Sequence, residues 1–417
     1  MQHLAPSPLA CLSLVVVLVA GCATPTPEQP RSPEPPPAPA PAPAAKAAPT
    51  PPPVAAAFAD AVARAGDRLL QDATSALGTG ARELVVDPFV DANTGQQTNA
   101  TVQMGGQLAG LITRRVPTWN VQALTRAALA AKPLLLIGTL TPINSKAARD
   151  ENADAFRVCL ALVDLRTNKL VARRLDRATL ASVDAEPIAL FREAPTWALD
   201  ATAEAYIKSC DGSNAGDPVA PLYLQRLPAA ALVNEATLAF TDNKIADAYR
   251  LYREARSLAA PDDLRVLNGI YTTSWKSGRR KEAGETFARI IDLGLASRRL
   301  PIKLFFNPGT TTLLQAPDLQ AQYALWLQEV ASRVAASDAC VKVIGHTSRT
   351  GDAQANDVLS QRRATVIKQS LERQNRKLAT RVSAEGVGSR EIIVGLGTDD
   401  VRDALDRRVE FRRVDCR

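Results

Sequence analysis

The stretch VIGHTSRTG at residues 343–351 decides the fold of the C-terminal part of this 417-residue chain. It begins apolar and β-branched, which favours a buried strand, and its Gly-His-Thr-Ser continuation is typical of a turn. The run NDVLSQRRATVIKQSL at residues 356–371 carries apolar residues at helical spacing. The run DALDRRVEFR at residues 403–412 leads into a further strand. These three runs predict strand, turn, helix and final strand in that order.

The flanking residues complete an α/β domain over residues 301–417. A strand is predicted at 302–306, and one apolar helical face then follows, made by Leu319, Tyr323, Leu327, Val330 and Val334. Further strands are predicted at 378–384 and 407–413. The resulting βαβαββ order and the three quoted runs resemble the OmpA-like peptidoglycan-binding domain over residues 301–414.

That resemblance implies a ligand and a set of binding residues. Members of the family bind diaminopimelate in the peptidoglycan stem peptide, with a carboxylate for its ammonium group and an arginine for its carboxylate. A zwitterion needs both charges, and arginine offers two parallel donors. By motif, the arginine is Arg363. The other implied binding positions are Ser348, Thr350, Asn356, Leu359 and Arg407.

The charge expected on the turn is missing from its usual position. The aspartate of the family falls on Ser348, which accepts a hydrogen bond but carries no charge. Losing that charge removes about 1–3 kcal/mol of charge-assisted bonding. Asp352, four residues later, is a candidate substitute acid. The alternative interpretation is that Arg362 and Arg363 belong to a solvated basic helix face.

The amino terminus has the pattern of an export signal. Residues 9–20 are apolar apart from Ser13, and twelve residues are too few for a membrane-spanning helix. The Val-Ala-Gly-Cys run at 19–22 resembles a bacterial lipobox, which implies lipidation of Cys22. Ala23 after the cysteine implies sorting to the outer membrane. The alternative is a buried apolar helix with an incidental cysteine, and no Lys or Arg precedes the apolar run.

Residues 23–57 are predicted to be a Pro/Ala-rich tether, since residues 23–53 hold 14 prolines. As a polyproline-like segment, residues 23–53 reach roughly 95 Å at about 3.1 Å per residue. Such a spacer, following a signal segment at residues 1–22, would place folded domains well below the membrane.

Residues 58–210 alternate between helix and strand patterns, which predicts a mixed sheet covered by helices. Strands are expected at 83–90, 119–121 and 133–140, followed by a hairpin over 156–175. The stretches VVDPFVD, LLLIGTL and FRVCLALVDLRTNKLV resemble the periplasmic domain of the curli-secretion lipoprotein, flagellar outer-membrane lipoproteins and lipoprotein activators of penicillin-binding proteins.

Residues 221–298 form a helical segment with a weak internal repeat at an offset of 35 residues. The aligned pairs are Ala248 with Ala283, Tyr252 with Phe287, and Ala255 with Ile290. Small and aromatic residues at this spacing resemble a tetratricopeptide repeat. So short an array is expected to pack on a neighbouring domain, and a peptide-binding groove is an alternative.

After lipidation of Cys22, four cysteines would remain in an oxidising compartment, and four allow three pairings. Cys340 comes just before one predicted strand and Cys416 just after the last, so antiparallel neighbours would bring them together. We therefore predict this bridge and a second between Cys159 and Cys210. Alternatively, Cys159 is a buried thiol, because it lies in the middle of a predicted strand.

The net charge is +7, and residues 331–417 carry 17 Lys and Arg against 12 Asp and Glu. A basic end suits nucleic acid, anionic lipid, an acidic cell-wall polymer or merely a solvated face. No hydrolase elbow, phosphate-binding loop or metal-ligand spacing occurs, and His346 has no catalytic partner. We expect no enzyme, cofactor, metal or nucleic acid.

The sequence thus predicts an outer-membrane lipoprotein that faces the periplasm and joins the outer membrane to peptidoglycan. The alternative function is an assembly or regulatory factor that binds an envelope protein through the middle domain. Partners that survive deletion of the C-terminal domain would favour this alternative.

Overall fold

The computed structural model describes residues 54–144, 153–315, 317–393, 397 and 402–416. Cys22 and the prolines up to residue 53 lie outside the described residues, so lipidation and the tether stay predictions. Within the described ranges, no helix combines the length and apolar character needed to cross a membrane.

The first sheet is mixed, as predicted. Its strands are β1 (Arg82–Val86), β2 (Val90–Asp91), β3 (Trp119–Ala123), β4 (Leu134–Ile143), β5 (Ala155–Asp164) and β6 (Lys169–Thr179). The order is β3-β1-β4-β5-β6, with β2 also beside β4. The pairs among β1 to β4 are parallel, while β4, β5 and β6 pair antiparallel.

Helices cover both faces of this sheet. They are α1 (Phe58–Leu77), α2 (Asn99–Arg115), the short α3 (Arg126–Leu129) and α5 (Ala201–Asp211). The short α4 (Ala189–Glu193) lies between α3 and α5 in the chain, and its Leu190 and Phe191 belong to a separate core with the helices that follow. The apolar stripes of α1 and α2 share one core with the sheet. At the start of α2, the hydroxyl of Thr98 accepts from the backbone N–H of Thr101, and the backbone N–H of Thr98 donates to the hydroxyl of Thr101, which satisfies two helix-end donors. Tyr206 and Ile207 of α5 lie in the core on the opposite face.

One strand prediction was wrong. Residues 83–90 were expected to form a single strand, but the structure interrupts it at 87–89, between β1 and β2. Pro88 has no N–H to give to a neighbouring strand, which disfavours unbroken pairing. Asp87 is buried beside it and accepts a hydrogen bond from the hydroxyl of Tyr223.

Four consecutive helices follow, where the helical segment was predicted. They are α6 (Pro221–Thr241), α7 (Ile245–Leu258), α8 (Leu264–Lys276) and α9 (Arg280–Ala296). All six residues of the aligned repeat pairs are buried. Gly269 lies against the ring of Tyr252, where a Cβ atom would come within 2.3 Å of the ring. The assignment to the tetratricopeptide family stays a prediction.

The C-terminal domain has the predicted βαβαββ order. Its elements are β7 (Arg299–Phe305), α10 (Pro317–Ala336), β8 (Cys340–Gly345), α11 (Ala353–Gln374), β9 (Val382–Gly386) and β10 (Arg408–Val414). The sheet order is β7-β10-β8-β9, in which β8 and β9 are parallel and the other pairs antiparallel.

The strand predicted at residues 378–384 is wrong in its first half. Residues 376–380 form a 3-10 turn, and β9 begins only at Val382. Asn375 favours the turn because its side chain accepts a hydrogen bond from the backbone N–H of Lys377.

Both predicted disulfides are present. The Cα atoms of Cys159 and Cys210 are 6.1 Å apart, and those of Cys340 and Cys416 are 5.2 Å apart. The first bridge joins β5 to α5. The second joins the start of β8 to the end of β10, where Cys340 pairs with Val414 in the sheet.

The helical segment and the C-terminal domain share one hydrophobic core. Tyr271 of α8 and Phe287 of α9 lie beside Trp326 of α10, with ring centroids 5.7–6.0 Å apart. The indole N–H of Trp326 donates to the hydroxyl of Tyr271 over 2.6 Å. The expectation that the helical segment packs on a neighbouring domain is therefore confirmed.

Candidate functional site

The predicted binding residues lie around the turn between β8 and α11. Two glycines bring the strands close to this helix. A Cβ on Gly345 would lie 2.0 Å from the carbonyl oxygen of Ser360, and one on Gly386 would lie 2.3 Å from the amide nitrogen of Gln361. The hydroxyl of Ser360 also accepts from the backbone N–H of Gly388 over 2.9 Å. Close packing thus positions the turn against the helix.

Arg363 is fully buried in α11, with 0% of its surface exposed. Its guanidinium donates to three backbone carbonyls: Thr310 over 2.9 Å, His346 over 3.0 Å and Asn307 over 3.1 Å. The ring of Phe306 lies 5.2 Å from the guanidinium carbon. Arg363 therefore joins the loop after β7 to the turn after β8, which is a structural role whether or not it binds a ligand.

Ser348, Thr350 and Asn356 belong to one small unit. Ser348 is buried and Thr350 is exposed. The side-chain amide of Asn356 donates to the carbonyl of Thr350 over 3.0 Å, which holds the end of the turn against the first turn of α11. Leu359 lies one helical turn later and is half-buried.

Asp352 is exposed and caps α11. Its carboxylate accepts from the backbone N–H of Ala355 over 2.9 Å, as expected of an N-terminal cap. A carboxylate at this helix end is also favoured by the helix dipole. Its capping role explains its presence, and its role as the substitute acid stays a prediction.

Arg407 lies just before β10 and is 5% exposed. Its carbonyl accepts from the backbone N–H of Phe306, so it lies beside the loop that holds Arg363. The next residue, Arg408, donates to Glu410 over 2.6 Å. Burial alone would raise the pKa of Glu410, but electrostatic interactions with Arg408 and His346 and hydrogen bonds from Arg408 and Trp197 together lower that pKa to about 2.

His346 is buried in the turn, and burial lowers its pKa well below the ordinary value. The charge of Arg408 acts in the same direction. A neutral, buried imidazole fits a structural role in the turn. Across the residues that the structure describes, no group of three His, Cys, Asp or Glu side chains could hold a metal ion.

The structure therefore collects the predicted C-terminal site residues at one end of the sheet. Sequence reasoning missed Asn307 and Thr310, whose carbonyls bind Arg363. The sequence does indicate a turn at this position, since Asn-Pro-Gly directly after a strand is typical of a turn at a strand end. It also missed Glu410, because a lone acid in a strand pattern gives no indication of its buried partners.

Comparison with known proteins identifies the C-terminal domain. Residues 305–404 match the model of the OmpA family. This match covers most of the predicted domain, ends before β10, and leaves the middle domain and the helical segment without an assigned family. No curated protein matches the chain.

Several solved structures are similar to part of this chain. The peptidoglycan-associated lipoprotein of Burkholderia pseudomallei is 20% identical and has a TM-score of 0.24, over 27% of this chain and 89% of that one. The cell wall anchor of the type VI secretion system of Pseudomonas aeruginosa is 20% identical with a TM-score of 0.24, over 31% and 97%. The periplasmic domain of MotB from Helicobacter pylori is 19% identical with a TM-score of 0.22, over 26% and 69%.

The C-terminal domain is thus OmpA-like. That statement rests on the family match and on the βαβαββ order of the elements.

Proposed function

We propose that this protein is an outer-membrane lipoprotein, anchored at Cys22, that holds the outer membrane to peptidoglycan through its OmpA-like domain. The ligand would be the diaminopimelate residue of the stem peptide. The observation that carries the proposal is the family match over residues 305–404 together with the Gly-His-Thr turn and the Arg363 helix inside it.

The arrangement of the turn supports a binding role. Ser348 and Thr350 lie on the turn that the amide of Asn356 holds against α11. Asp352 places an exposed negative charge at the end of the same turn. A ligand ammonium group could be recognised there, while Arg363 and Arg407 bring positive charge to the same end of the domain.

The test is sedimentation of the full mature chain with purified peptidoglycan sacculi. Ser348→Asp should increase the bound fraction, because it adds the charge that an ammonium group requires. Ser348→Asn is the matched control, since it has nearly the same shape and no charge. Equal binding by the two variants would contradict a role for position 348 in ammonium recognition.

Asp352 is tested by a similar pair. Asp352→Asn removes the charge but keeps a good helix cap, whereas Asp352→Ala removes both. If Asp352 supplies the missing charge, the Asn variant should lose binding while its stability stays close to wild type. Loss of binding in the Ala variant alone would indicate that only the cap matters.

The second candidate is an assembly or regulatory factor whose OmpA-like domain is a scaffold. One observation favours it: Arg363 is buried and donates to backbone carbonyls, and Ser348 stands where the family has an aspartate. This candidate predicts that wild type stays in the supernatant with sacculi, that Ser348→Asp does not restore binding, and that protein partners co-purify under mild crosslinking.

We also propose that the protein is not an enzyme and needs no cofactor. Its second histidine, His3, lies in the predicted signal segment, and His346 is buried with a lowered pKa. The sequence holds no nucleophile motif that would replace them. Turnover of a muropeptide by the purified chain would contradict this proposal.

A further inference from the structure

The segment at residues 195–197, which leads into α5, lies along the open edge of the C-terminal sheet. β7 is one of the two edge strands of this sheet, and Thr196 pairs with Ile302 of β7 in an antiparallel bridge. The backbone N–H of Lys303 donates to the carbonyl of Pro195 over 3.0 Å. The middle domain thus adds a single β-bridge to this edge of the OmpA-like sheet, which covers part of an edge that would otherwise be unpaired.

Trp197 of the middle domain makes side-chain contacts with the OmpA-like domain. Its indole N–H donates to Glu410 over 2.8 Å, and Glu410 also accepts from Arg408. Its ring meets that of Phe305 edge to face, with centroids 6.5 Å apart. Trp197 is itself 6% exposed, so the contact is buried.

Lys303 adds a buried amine to this junction. It is 1% exposed, and its ammonium group donates to the carbonyl of Phe191 over 2.6 Å. The same nitrogen lies 4.7 Å from the ring centroid of Trp197. A lysine buried in this way is costly unless its partners stay in place, so the junction is specific rather than a loose contact.

The same junction reaches the loops that carry the candidate site. Phe305 and Leu405 lie in the hydrophobic core of the middle domain, and the half-buried Leu314 and Ile393 pack against it. Leu314 belongs to the loop whose carbonyls bind Arg363. Arg349, in the Gly-His-Thr turn, donates to the carbonyl of Ala153 of the middle domain over 3.4 Å.

Some of the candidate binding groups are buried in this packed arrangement, while Thr350 and Asp352 are exposed. Arg363 is 0% exposed, and Ser348 and Arg407 are each 5% exposed. A stem peptide that reaches Ser348 and Arg363 must therefore displace packed groups first. The loops that would have to move, those of Leu314 and Arg349, are the ones in contact with the middle domain.

We infer that docking of the middle domain on the OmpA-like domain is an autoinhibitory contact, which must loosen before the domain binds peptidoglycan. This inference rests on the proposed function. A protein in which only a fraction of molecules is open binds with an affinity reduced by that fraction. The stem peptide and the middle domain would then compete for the same loops.

A disulfide across the bridge tests this directly. Facing residues of an antiparallel pair have Cα atoms about 4.5–5.5 Å apart, within the range that a disulfide spans. The double variant Thr196→Cys with Ile302→Cys should therefore form a bridge on oxidation. It would hold the junction closed without changing the candidate loops.

In sacculus sedimentation, the oxidised double variant should bind at least about tenfold less than the same protein after reduction. The single variants Thr196→Cys and Ile302→Cys are controls, because each loses the native side chain but cannot form the bridge. Wild type with and without reductant controls for the two native disulfides. Circular dichroism confirms that each form is folded.

Trp197→Ala provides the opposite change. Without the indole, the contacts with Glu410 and Phe305 are lost and the bound fraction should rise above wild type. Equal binding by the oxidised and reduced double variant would overturn the inference and leave the proposed function intact. If no form binds, including Trp197→Ala and the reduced double variant, the proposed function fails and the inference fails with it.

Discussion

At the scale of single residues, Arg363 has a structural role beside the binding role that we propose for it, and its sequence motif does not distinguish the two. Its position in the helix is predictable from the motif at residues 356–371. The carbonyl groups that accept its hydrogen bonds are not predictable from the motif, because Asn307 and Thr310 lie 56 and 53 residues away along the chain. Only the folded domain brings these carbonyls to one guanidinium, so its structural role could not be read from local pattern.

Arg363→Ala should destabilise the protein by about 3 kcal/mol or more, because three carbonyls lose a charged donor in a buried site. Arg363→Lys should destabilise the protein less than Arg363→Ala, but its free energy of unfolding should stay below that of wild type. One ammonium group cannot reproduce the hydrogen bonds of the planar guanidinium. Urea unfolding followed by circular dichroism measures both. Arg362→Ala, next to it and exposed, is the matched control and should stay within about 0.5 kcal/mol of wild type. Equal stability of the two alanine variants would contradict the structural role.

Asp87 provides a pH-dependent prediction. Burial raises its pKa from 3.8 to about 6, against the lowering effect of the Tyr223 hydrogen bond. As pH rises from about 4 to 6, the unfolded chain loses this proton first, so the contribution of Asp87 to stability falls. A shift of about two pKa units corresponds to roughly 3 kcal/mol.

Asp87→Asn should therefore be more stable than wild type at pH 7, and the difference should shrink toward zero near pH 4. Urea unfolding of both proteins across this range measures it. Tyr223→Phe removes the hydrogen bond to Asp87, so this variant should be less stable than wild type at pH 7. A difference that does not change with pH would show that Asp87 does not titrate in this window.

At the scale of elements, the sequence predicted most helices and strands because their apolar periodicity is local. The helix at α11 and the strand at β8 are examples. The interruption at 87–89 and the 3-10 turn at 376–380 were missed. Both depend on single polar or proline residues whose effect competes with an otherwise strand-like pattern.

Gly345→Ala tests the close approach of β8 to α11. Its Cβ would lie 2.0 Å from the carbonyl oxygen of Ser360, so the helix or strand must shift, at a cost of about 2–3 kcal/mol or more. Gly106→Ala in α2 is the matched control, because no atom lies within 4 Å of its added Cβ. That change should stabilise by roughly 0.5–1 kcal/mol. Thermal unfolding measures both changes. If the unfolding midpoints of the two variants move in the same direction relative to wild type, the close packing of β8 on α11 is contradicted.

At the scale of the whole molecule, the segments share their cores instead of standing apart. The helical segment and the OmpA-like domain are joined by the aromatic cluster around Trp326, and the middle domain takes in Phe305 and Leu405. The sequence predicted separate segments but could not predict these contacts, since composition shows where a linker lies and not which faces meet. The proposed membrane anchor belongs to this scale too.

Cys22→Ser should leave the chain as an uncleaved precursor or release it into the periplasm, because the acylated residue would be lost. Cys11→Ser, inside the apolar run, is the control and should not alter localisation. Fractionation of outer membrane and periplasm measures the result. A Cys22→Ser protein that remains in the outer membrane fraction would contradict the anchor.

The central claim is recognition of diaminopimelate, and competition for sacculi tests it most directly. The mature chain is sedimented with sacculi in the presence of soluble stem peptide that contains diaminopimelate, or of the peptide with lysine at that position. Lysine keeps the side-chain ammonium but lacks the adjoining carboxylate. We predict that the diaminopimelate peptide releases the protein from the sacculi and that the lysine peptide does not. Equal release by both peptides, or release by neither, would contradict the claim.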